Sequence, residues 1–301
     1  MPNRKKVKQL AIIGSTASGK TSLAVKAAKV IDAHILSLDS LSIYKEIDIV
    51  SAKPAQEERE GVTHFGIDVI YPNEIFDVTT FIALYHEVYQ KCLQEDKALV
   101  IVGGTSFYLK MLIEGVSNLP TISESTKKET AEHLLDLPNT HALLNSLDPA
   151  YMSKIENNDS YRIEKALDIY LETGTTPSVY FKANPPLPTI QDDLPIYQIE
   201  WDRNILRERI ALRTKIMVNA GLIDEIVMLE KKYSRSPNCM KAIGIKETLA
   251  YLDGIYTENE MVEKITINTA RLAKRQRTFN NSQFDDVVRG SVEDLEKILL
   301  G

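Results

Sequence analysis

The run Gly14-Ser-Thr-Ala-Ser-Gly19-Lys20-Thr21 fits the spacing GxxxxGK[ST]. Glycines at both ends of such a turn let backbone N–H groups point inward around a phosphate, and a helix opening at Lys20 adds its positive end. Lys20 supplies a point charge, and the Thr21 hydroxyl is of the type that holds Mg²⁺. Gly14, Ser15, Thr16, Ala17, Ser18, Gly19, Lys20 and Thr21 therefore form the expected phosphate cradle, with Thr21 as its metal-side residue. A kinase or NTPase adds an acid at the end of a core strand. Here Ala98–Val102 runs into Gly103-Gly104-Thr105 with no acid, which weakens a triphosphate-cleaving reading. Asp68 is an alternative acid but lies inside a strand-like run. Asp39, in Ser37-Leu38-Asp39-Ser40-Leu41-Ser42, has two readings of equal weight. It faces a ligand crevice at a strand end, or it caps a following helix.

A phosphate loop works only between a strand and a helix. Leu10–Ile13, Ile35–Leu38, Ile67–Ile70 and Leu99–Val102 read as strands, because they are short, β-branched and apolar throughout. Helical spacing covers Thr21–Ile31, Val78–Gln94 and Phe107–Glu114. Strand–helix alternation of this kind predicts a parallel sheet covered on both faces. From residue 121 the pattern turns helical, as in Asn158–Thr173, which stops at Gly174. Pro185, Pro186, Pro188 and Pro195 mark a loop, Ile196–Trp201 reads as a strand, and helical patterns run on to Asn281. The expected fold is α/β: a P-loop NTPase-like parallel sheet core with an all-helical insertion domain and C-terminal helices. Residues 1–120 and 195–301 form the core, and residues 121–194 the insertion.

Lys plus Arg is 36 and Asp plus Glu 42, a net charge of −6 over 301 residues, so overall basicity does not hold this chain to nucleic acid. Local basic stretches remain: Arg203, Arg207, Arg209 and Arg213 in one, Arg271, Lys274, Arg275 and Arg277 in another. Such runs are either solvated faces or phosphate contacts. The basic start Arg4-Lys5-Lys6-Val7-Lys8 is expected only to solvate an end. Its apolar sequel is too short for a signal peptide, and no stretch approaches a membrane span, so a cytoplasmic protein is expected. Cys92 and Cys239 match no metal or disulfide pattern, and the five histidines (34, 64, 86, 133, 141) lack metal spacing.

Several blocks occur in order: GSTASGKT, DSLSIYK, SAKP, HFGID, VGGTSFYLK, AIGIKE and TARLAKRQRTF. Together they resemble the bacterial tRNA dimethylallyltransferase (tRNA isopentenyltransferase) family across nearly the whole chain. The resemblance implies transfer of a dimethylallyl group from dimethylallyl diphosphate to N6 of adenine 37 in tRNA, with Mg²⁺ as cofactor. The phosphate loop would then hold a diphosphate leaving group. Asp39 is implied as the general base and Thr105 as a neighbour of the reacting groups. An arginine after Trp201 is implied as the diphosphate clamp, and Arg209 and Arg213 both fit.

The implied partner is the anticodon stem-loop of tRNA, met by a monomer without a membrane. Asp39, Ser40, Leu41 and Ser42 would contact it from the core. Lys127 and the run Tyr161, Arg162, Ile163, Glu164 and Lys165 would contact it from the insertion, and Arg271, Lys274, Arg275 and Arg277 from the C-terminal helices. The chain departs from the family pattern at Ser42 (usually Gln), at Tyr161 (usually Gln) and at Phe279-Asn280-Asn281 (usually Trp-x-Arg). HFGID also replaces the commoner His-His-Leu-Ile-Asp. Two other classes use parts of the same sequence. A small-molecule kinase would use the insertion as a lid, and a non-catalytic RNA-binding protein would need only the basic stretches.

Overall fold

The computed structural model describes residues 6–301. In chain order its first part is β1 (Gln9–Gly14), α1 (Lys20–Val30), β2 (Ala33–Ser37), β3 (His64–Phe65), α2 (Val78–Glu95), β4 (Ala98–Gly103) and α3 (Ser106–Glu114). Next come α4 (Glu124–His133), α5 (Leu137–Leu147), α6 (Pro149–Met152), α7 (Ser160–Thr173) and α8 (Pro177–Ala183). The chain closes with β5 (Ile196–Ile199), α9 (Arg203–Asn219), α10 (Leu222–Tyr233), α11 (Ile245–Leu252), α12 (Glu258–Gln283), β6 (Val287–Gly290) and α13 (Val292–Leu300).

The strands form one sheet in the order β3-β2-β4-β1-β5-β6, and every pairing is parallel. β1 and β4 are buried nearly end to end because helices cover both faces, which is why they read as unbroken apolar runs. Ile12, Ile35 and Leu99 are fully enclosed, each worth roughly 1.5–3 kcal/mol of hydrophobic burial. Leu23, Ala24, Ala27 and Ala28 of α1 close one face of this core. A second core joins Ile43, Tyr44 and Ile47 to Leu222, Ile226 and Ile245 of the C-terminal helices. The register of β1 places its end, Gly14, one residue past the pair Ile13↔Gly103, so the ends of β1, β2 and β4 open on the same side of the sheet. That side is where open parallel sheets bind ligands.

Ile67–Ile70 is not a strand. β3 ends at Phe65, and Gly66 (φ 76°) and Asp68 (φ 57°) adopt left-handed backbone, which breaks extension and leaves only an isolated bridge between Tyr44 and Ile70. Asp68 accepts from Lys53 Nζ at 2.6 Å and stands outside the phosphate cavity. β6 and α13 lie beyond the helical pattern read from the sequence. Arg4 and Lys5 fall outside the described residues, whereas Lys6 pairs with Asp192 and Val7 is buried, so this segment does more than solvate an end.

The chain divides into two compact units, the described residues up to Lys110 with Asp192–Gly301, and Met111–Gln191. The second unit therefore begins inside α3, earlier than residue 121, and stops at Gln191. Leu112 O accepts from Thr189 N–H (2.9 Å) and Ile190 N–H (2.8 Å), which joins the two ends of this unit. Its core is Leu144, Met152, Ile155, Ile163, Ala166 and Leu167, all from helices or their connections. Asp159 caps α7 by accepting from Arg162 N–H, and Gly174 ends it in left-handed backbone. Among the described residues no helix is long and apolar enough to cross a membrane.

Candidate active site

The phosphate loop is held from outside as well as shaped from within. Gly19 (φ 90°) opens α1, and Ala17 (φ 61°) carries left-handed backbone that an L side chain rarely adopts. Two side chains of the β5–α9 region grip the outer carbonyls of this strained turn. Trp201 Nε1 donates to Ser18 O (2.8 Å), and Arg209 Nε donates to Ala17 O (2.8 Å). Arg209 also stacks on the Trp201 ring, 4.6 Å from its centroid. Inside the loop, Lys20 Nζ donates to Ser15 O (2.6 Å). Burial pushes the Lys20 ammonium down to about 7, and the Arg213 guanidinium adds to this while Asp39 opposes it. A cation held this far below its ordinary range is poised to gain from an incoming anion.

Of the two arginines, Arg213 is the one turned to the interior. Nη1 donates to Thr16 Oγ1 (3.3 Å) and Nη2 to Ser51 O (3.5 Å). Burial lowers its pKa, with Asp39 again opposing. Arg213 shares one cavity, about 100 Å³, with Lys20, Thr21 and Asp39, and a second, about 550 Å³, with Asp39, Thr105 and Arg275. Ser40 and Leu41 also line the larger cavity. Ser42 is buried, its Oγ 3.3 Å from that of Ser37, and lines the smaller one.

Asp39 stands just past the end of β2 and lines both cavities. Its Oδ1 accepts from Leu41 N–H (2.8 Å) and Ser42 N–H (3.1 Å), so the carboxylate does cap the backbone, but a turn follows and no helix. Both bonds use Oδ1, and Oδ2 accepts no hydrogen bond among the described residues. Opposite, the end of β4 is pressed close. A Cβ on Gly103 would meet Leu38 at 2.5 Å and one on Gly104 would meet Gln276 Nε2 at 2.5 Å. Glycine is required at Gly103, where the close atoms include the Leu38 backbone, whereas at Gly104 it is the Gln276 side chain that would have to move; Thr105 follows with its N–H on Leu38 O (3.1 Å).

Gln276, in the basic run of α12, is a site residue that charge-based reading overlooks. Its Oε1 accepts from Thr16 N–H (2.9 Å) and its Nε2 donates to Gly104 O (3.0 Å), tying the phosphate loop to the turn that carries Thr105. Glu225 is another. It accepts from Asp48, Ile49 and Val50 N–H at 2.7–3.0 Å, fixing the segment that ends at the Ser51 carbonyl used by Arg213. His64 lines the smaller cavity, its Nδ1 near Val62 O (2.9 Å) and its buried Nε2 unpartnered among the described residues. The i, i+3 spacing gives α12 two working faces. Arg271, Lys274 and Arg277 line a cavity with Arg203, Arg207 and the phosphate-loop residues Gly14 and Ser15, whereas Arg275 and Gln276 share another with Asp39.

In the helical unit, Tyr161 is 68% exposed. Arg162 is exposed and pairs with Asp159 (2.6 Å), and Lys127 is exposed and pairs with Glu124 (2.6 Å). Lys165 bridges Glu164 (2.8 Å) and Asp168 (3.0 Å). Ile163 is corrected. It is fully buried in the core of this unit and presents no surface to RNA.

Thr21 and Asp39 offer hard oxygen donors to the cavity that Lys20 closes. Among the described residues no cluster of three or more carboxylate, imidazole or thiol groups forms a metal cage. This donor set fits Mg²⁺, which keeps several waters and binds through one or two protein oxygens plus substrate phosphates.

The family described as IPP transferase matches residues 42–283. A curated tRNA dimethylallyltransferase of Sulfurovum sp. is 69% identical over 294 residues, covering 98% of each chain. That of Sulfurimonas denitrificans is 55% identical, covering 97% of this chain and 98% of its own. The crystal structure of a full-length tRNA isopentenylpyrophosphate transferase from Bacillus halodurans superposes with a TM-score of 0.71 at 30% identity, covering 98% of this chain and 96% of that one. A eukaryotic dimethylallyltransferase acting on tRNA shares the fold, with a TM-score of 0.85 at 24% identity over 96% of this chain and 75% of that one.

Proposed function

The chain belongs to the tRNA dimethylallyltransferase family, and from that premise we propose that it moves a dimethylallyl group from dimethylallyl diphosphate to N6 of adenine 37 in tRNA, giving N6-(dimethylallyl)adenosine. The observation that carries the chemistry is the convergence on one side of the sheet of Asp39, with an uncommitted oxygen, and two cations, Lys20 and Arg213. An exocyclic aromatic amine is a weak nucleophile because its lone pair is delocalised into the ring. As N6 attacks C1 of the dimethylallyl group, the C1–O bond breaks and its electron pair leaves with the diphosphate. N6 becomes acidic as the new bond forms, and Asp39 Oδ2 takes its proton. A positioned base of this kind contributes about 10²–10⁴-fold in rate.

The leaving diphosphate gains charge where Lys20 and Arg213 stand, both lining the cavity beside the phosphate loop. Arg213 is the clamp on this reading, and Arg209 holds the outside of the loop. The Thr21 hydroxyl would hold Mg²⁺, which would supply charge neutralisation to the leaving group. Gln276 fixes the distance between the phosphate loop and Thr105. The crowding of Gly103 against the Leu38 backbone leaves no room at that position for the acid a triphosphate-cleaving kinase places at the end of this strand.

The partner is the anticodon stem-loop, met by a monomer in the cytoplasm, and the adenine must leave its stack to reach Asp39. Arg275, Ser40 and Leu41 meet the loop from the core. Tyr161, Arg162 and Lys127 are exposed for contact on the helical unit. The test uses two stem-loop RNAs that differ only at position 37, adenine in one and guanine in the other, each incubated with labelled dimethylallyl diphosphate. Label should enter the first alone. Equal labelling of both would end the assignment.

A further inference from the structure

Tyr44, Phe76 and Tyr108 line the cavity of about 550 Å³ beside Asp39 and Thr105. Phe76 lies edge-to-face with both tyrosines, so the three make one aromatic wall. Tyr108 is the member held most firmly. Its ring stacks on Phe81, with centroids 4.9 Å apart and 16° between the planes, and its centroid is 5.5 Å from that of Phe76. Phe81 is 1% exposed, so this support belongs to the core. Tyr108 N–H also donates to Thr105 O (3.0 Å), which ties the residue to the turn beside the reacting groups. A tyrosine has two side-chain torsions, and such ring contacts fix where its hydroxyl points.

That hydroxyl has no hydrogen-bond partner among the described residues. Enclosed polar atoms without partners do occur, Ser106 Oγ among them, but the Tyr108 hydroxyl is not one of these and opens into the cavity. Burial first, and then Tyr44, Asp77 and Asp39, push the phenol up to about 12. It therefore stays protonated at any working pH and is available as a donor.

Chemistry limits what can meet it. Tyr108 does not line the cavity of Lys20 and Thr21, where the diphosphate lies. The rest of the donor is hydrocarbon and accepts no hydrogen bond. The base that is to be modified remains. We infer that Tyr108 is a specificity-determining residue, donating from its hydroxyl to a ring nitrogen that flanks N6 of the target adenine, N1 or N7, while Asp39 accepts from N6. The inference rests on the proposed transfer to N6. Adenine presents an accepting nitrogen beside a donating amine, and an extruded base is read by hydrogen bonds to such an edge. The Tyr108 hydroxyl and Asp39 Oδ2 supply the matching donor and acceptor in one cavity. Guanine would instead turn O6, which has no proton to give, toward the Asp39 carboxylate.

The test crosses the residue with the base. Stem-loop RNAs carrying adenine, 1-deazaadenine or 7-deazaadenine at position 37 are each given to the wild type and to Tyr108→Phe. Each deaza base keeps N6 and replaces one flanking nitrogen by C–H. The variant keeps the ring on Phe81 and loses the hydroxyl alone. On the adenine RNA, Tyr108→Phe should lower kcat/KM by about three- to tenfold, as loss of one neutral hydrogen bond does. On the deaza RNA that lacks the accepting nitrogen, the variant should cost less than about twofold, because that bond is already gone. A loss of equal size on all three RNAs marks a structural effect and overturns the inference. An unchanged kcat/KM on the adenine RNA, or a matching loss of affinity for dimethylallyl diphosphate by calorimetry, also overturns it. A wild type that modifies none of the three RNAs overturns the reading of the site itself, and the inference with it.

Discussion

Dimethylallyl diphosphate binding near pH 8 should draw about 0.9 proton from solution onto Lys20. Burial and the neighbouring Arg213 lower this lysine from 10.5 to about 7 in the ligand-free protein. At about pH 8 only about one Lys20 in ten then carries its proton. A diphosphate in contact restores the charged form, while the donor, whose second phosphate ionisation lies near pH 6, has almost no proton left to release. Calorimetric titration in two buffers of different ionisation enthalpy gives the number of protons taken up. Lys20→Arg keeps the charge but cannot titrate, so its uptake should vanish. Wild-type uptake below about 0.2 proton, or equal uptake in Lys20→Arg, would refute the reasoning. The same depression fixes a sign for stability. Between about pH 7 and 10.5 the unfolded chain binds more protons at Lys20 than the folded one, so the cost of burying this lysine is full below pH 7 and fades as pH rises. The ligand-free wild type should therefore gain on Lys20→Met in melting temperature as pH is raised through this window.

Asp39→Asn keeps an oxygen for the Leu41 and Ser42 N–H groups but cannot take a proton, so single-turnover transfer should slow by about 10²–10⁴-fold with the melting temperature little changed. A rate within a few-fold of wild type would reduce Asp39 to a turn cap. Arg213→Ala should cost about 10²–10³-fold in kcat/KM for the donor. Arg209→Ala, which loses an outer loop contact, should cost under about tenfold; steady-state kinetics on both variants checks the order, and a reversed order would exchange their roles. Replacing residues 115–187 with a short Gly/Ser linker should leave donor binding by calorimetry within a few-fold of wild type and abolish tRNA modification. The bonds from Leu112 to Thr189 and Ile190 hold the ends together for this. Near-normal modification by the folded truncation would show that the helical unit does not grip RNA.

The phosphate loop and the strands flanking it were legible because their signals are local: a fixed glycine spacing, and apolar runs buried on both faces. Asp39 was legible as a position and not as a single role, since a carboxylate at a strand end has two oxygens and the structure commits only one of them. Gln276 and Glu225 were not legible, because each works on backbone groups more than 170 residues away in the chain, and neither type nor spacing marks such a contact. Ile67–Ile70 has strand composition, but left-handed backbone at Asp68, and at Gly66 just before the run, overrides propensity there. β6 is four residues long with its middle exposed, too short for alternation to register. Ser291 and Asp294 carry the capping-box spacing that marks α13. Ile163 sits in a run that resembles an RNA-contact segment, yet helical geometry turns this one position inward while Tyr161 and Arg162 face out.

Purified protein incubated with dimethylallyl diphosphate, Mg²⁺ and unmodified tRNA, followed by digestion to nucleosides and mass measurement, tests the central claim most directly. One adenosine per tRNA should gain the mass of a dimethylallyl group in place of a hydrogen, with diphosphate released in equal amount and no requirement for ATP. An unchanged nucleoside profile with dimethylallyl diphosphate, or ATP consumed in step with product, would contradict the assignment.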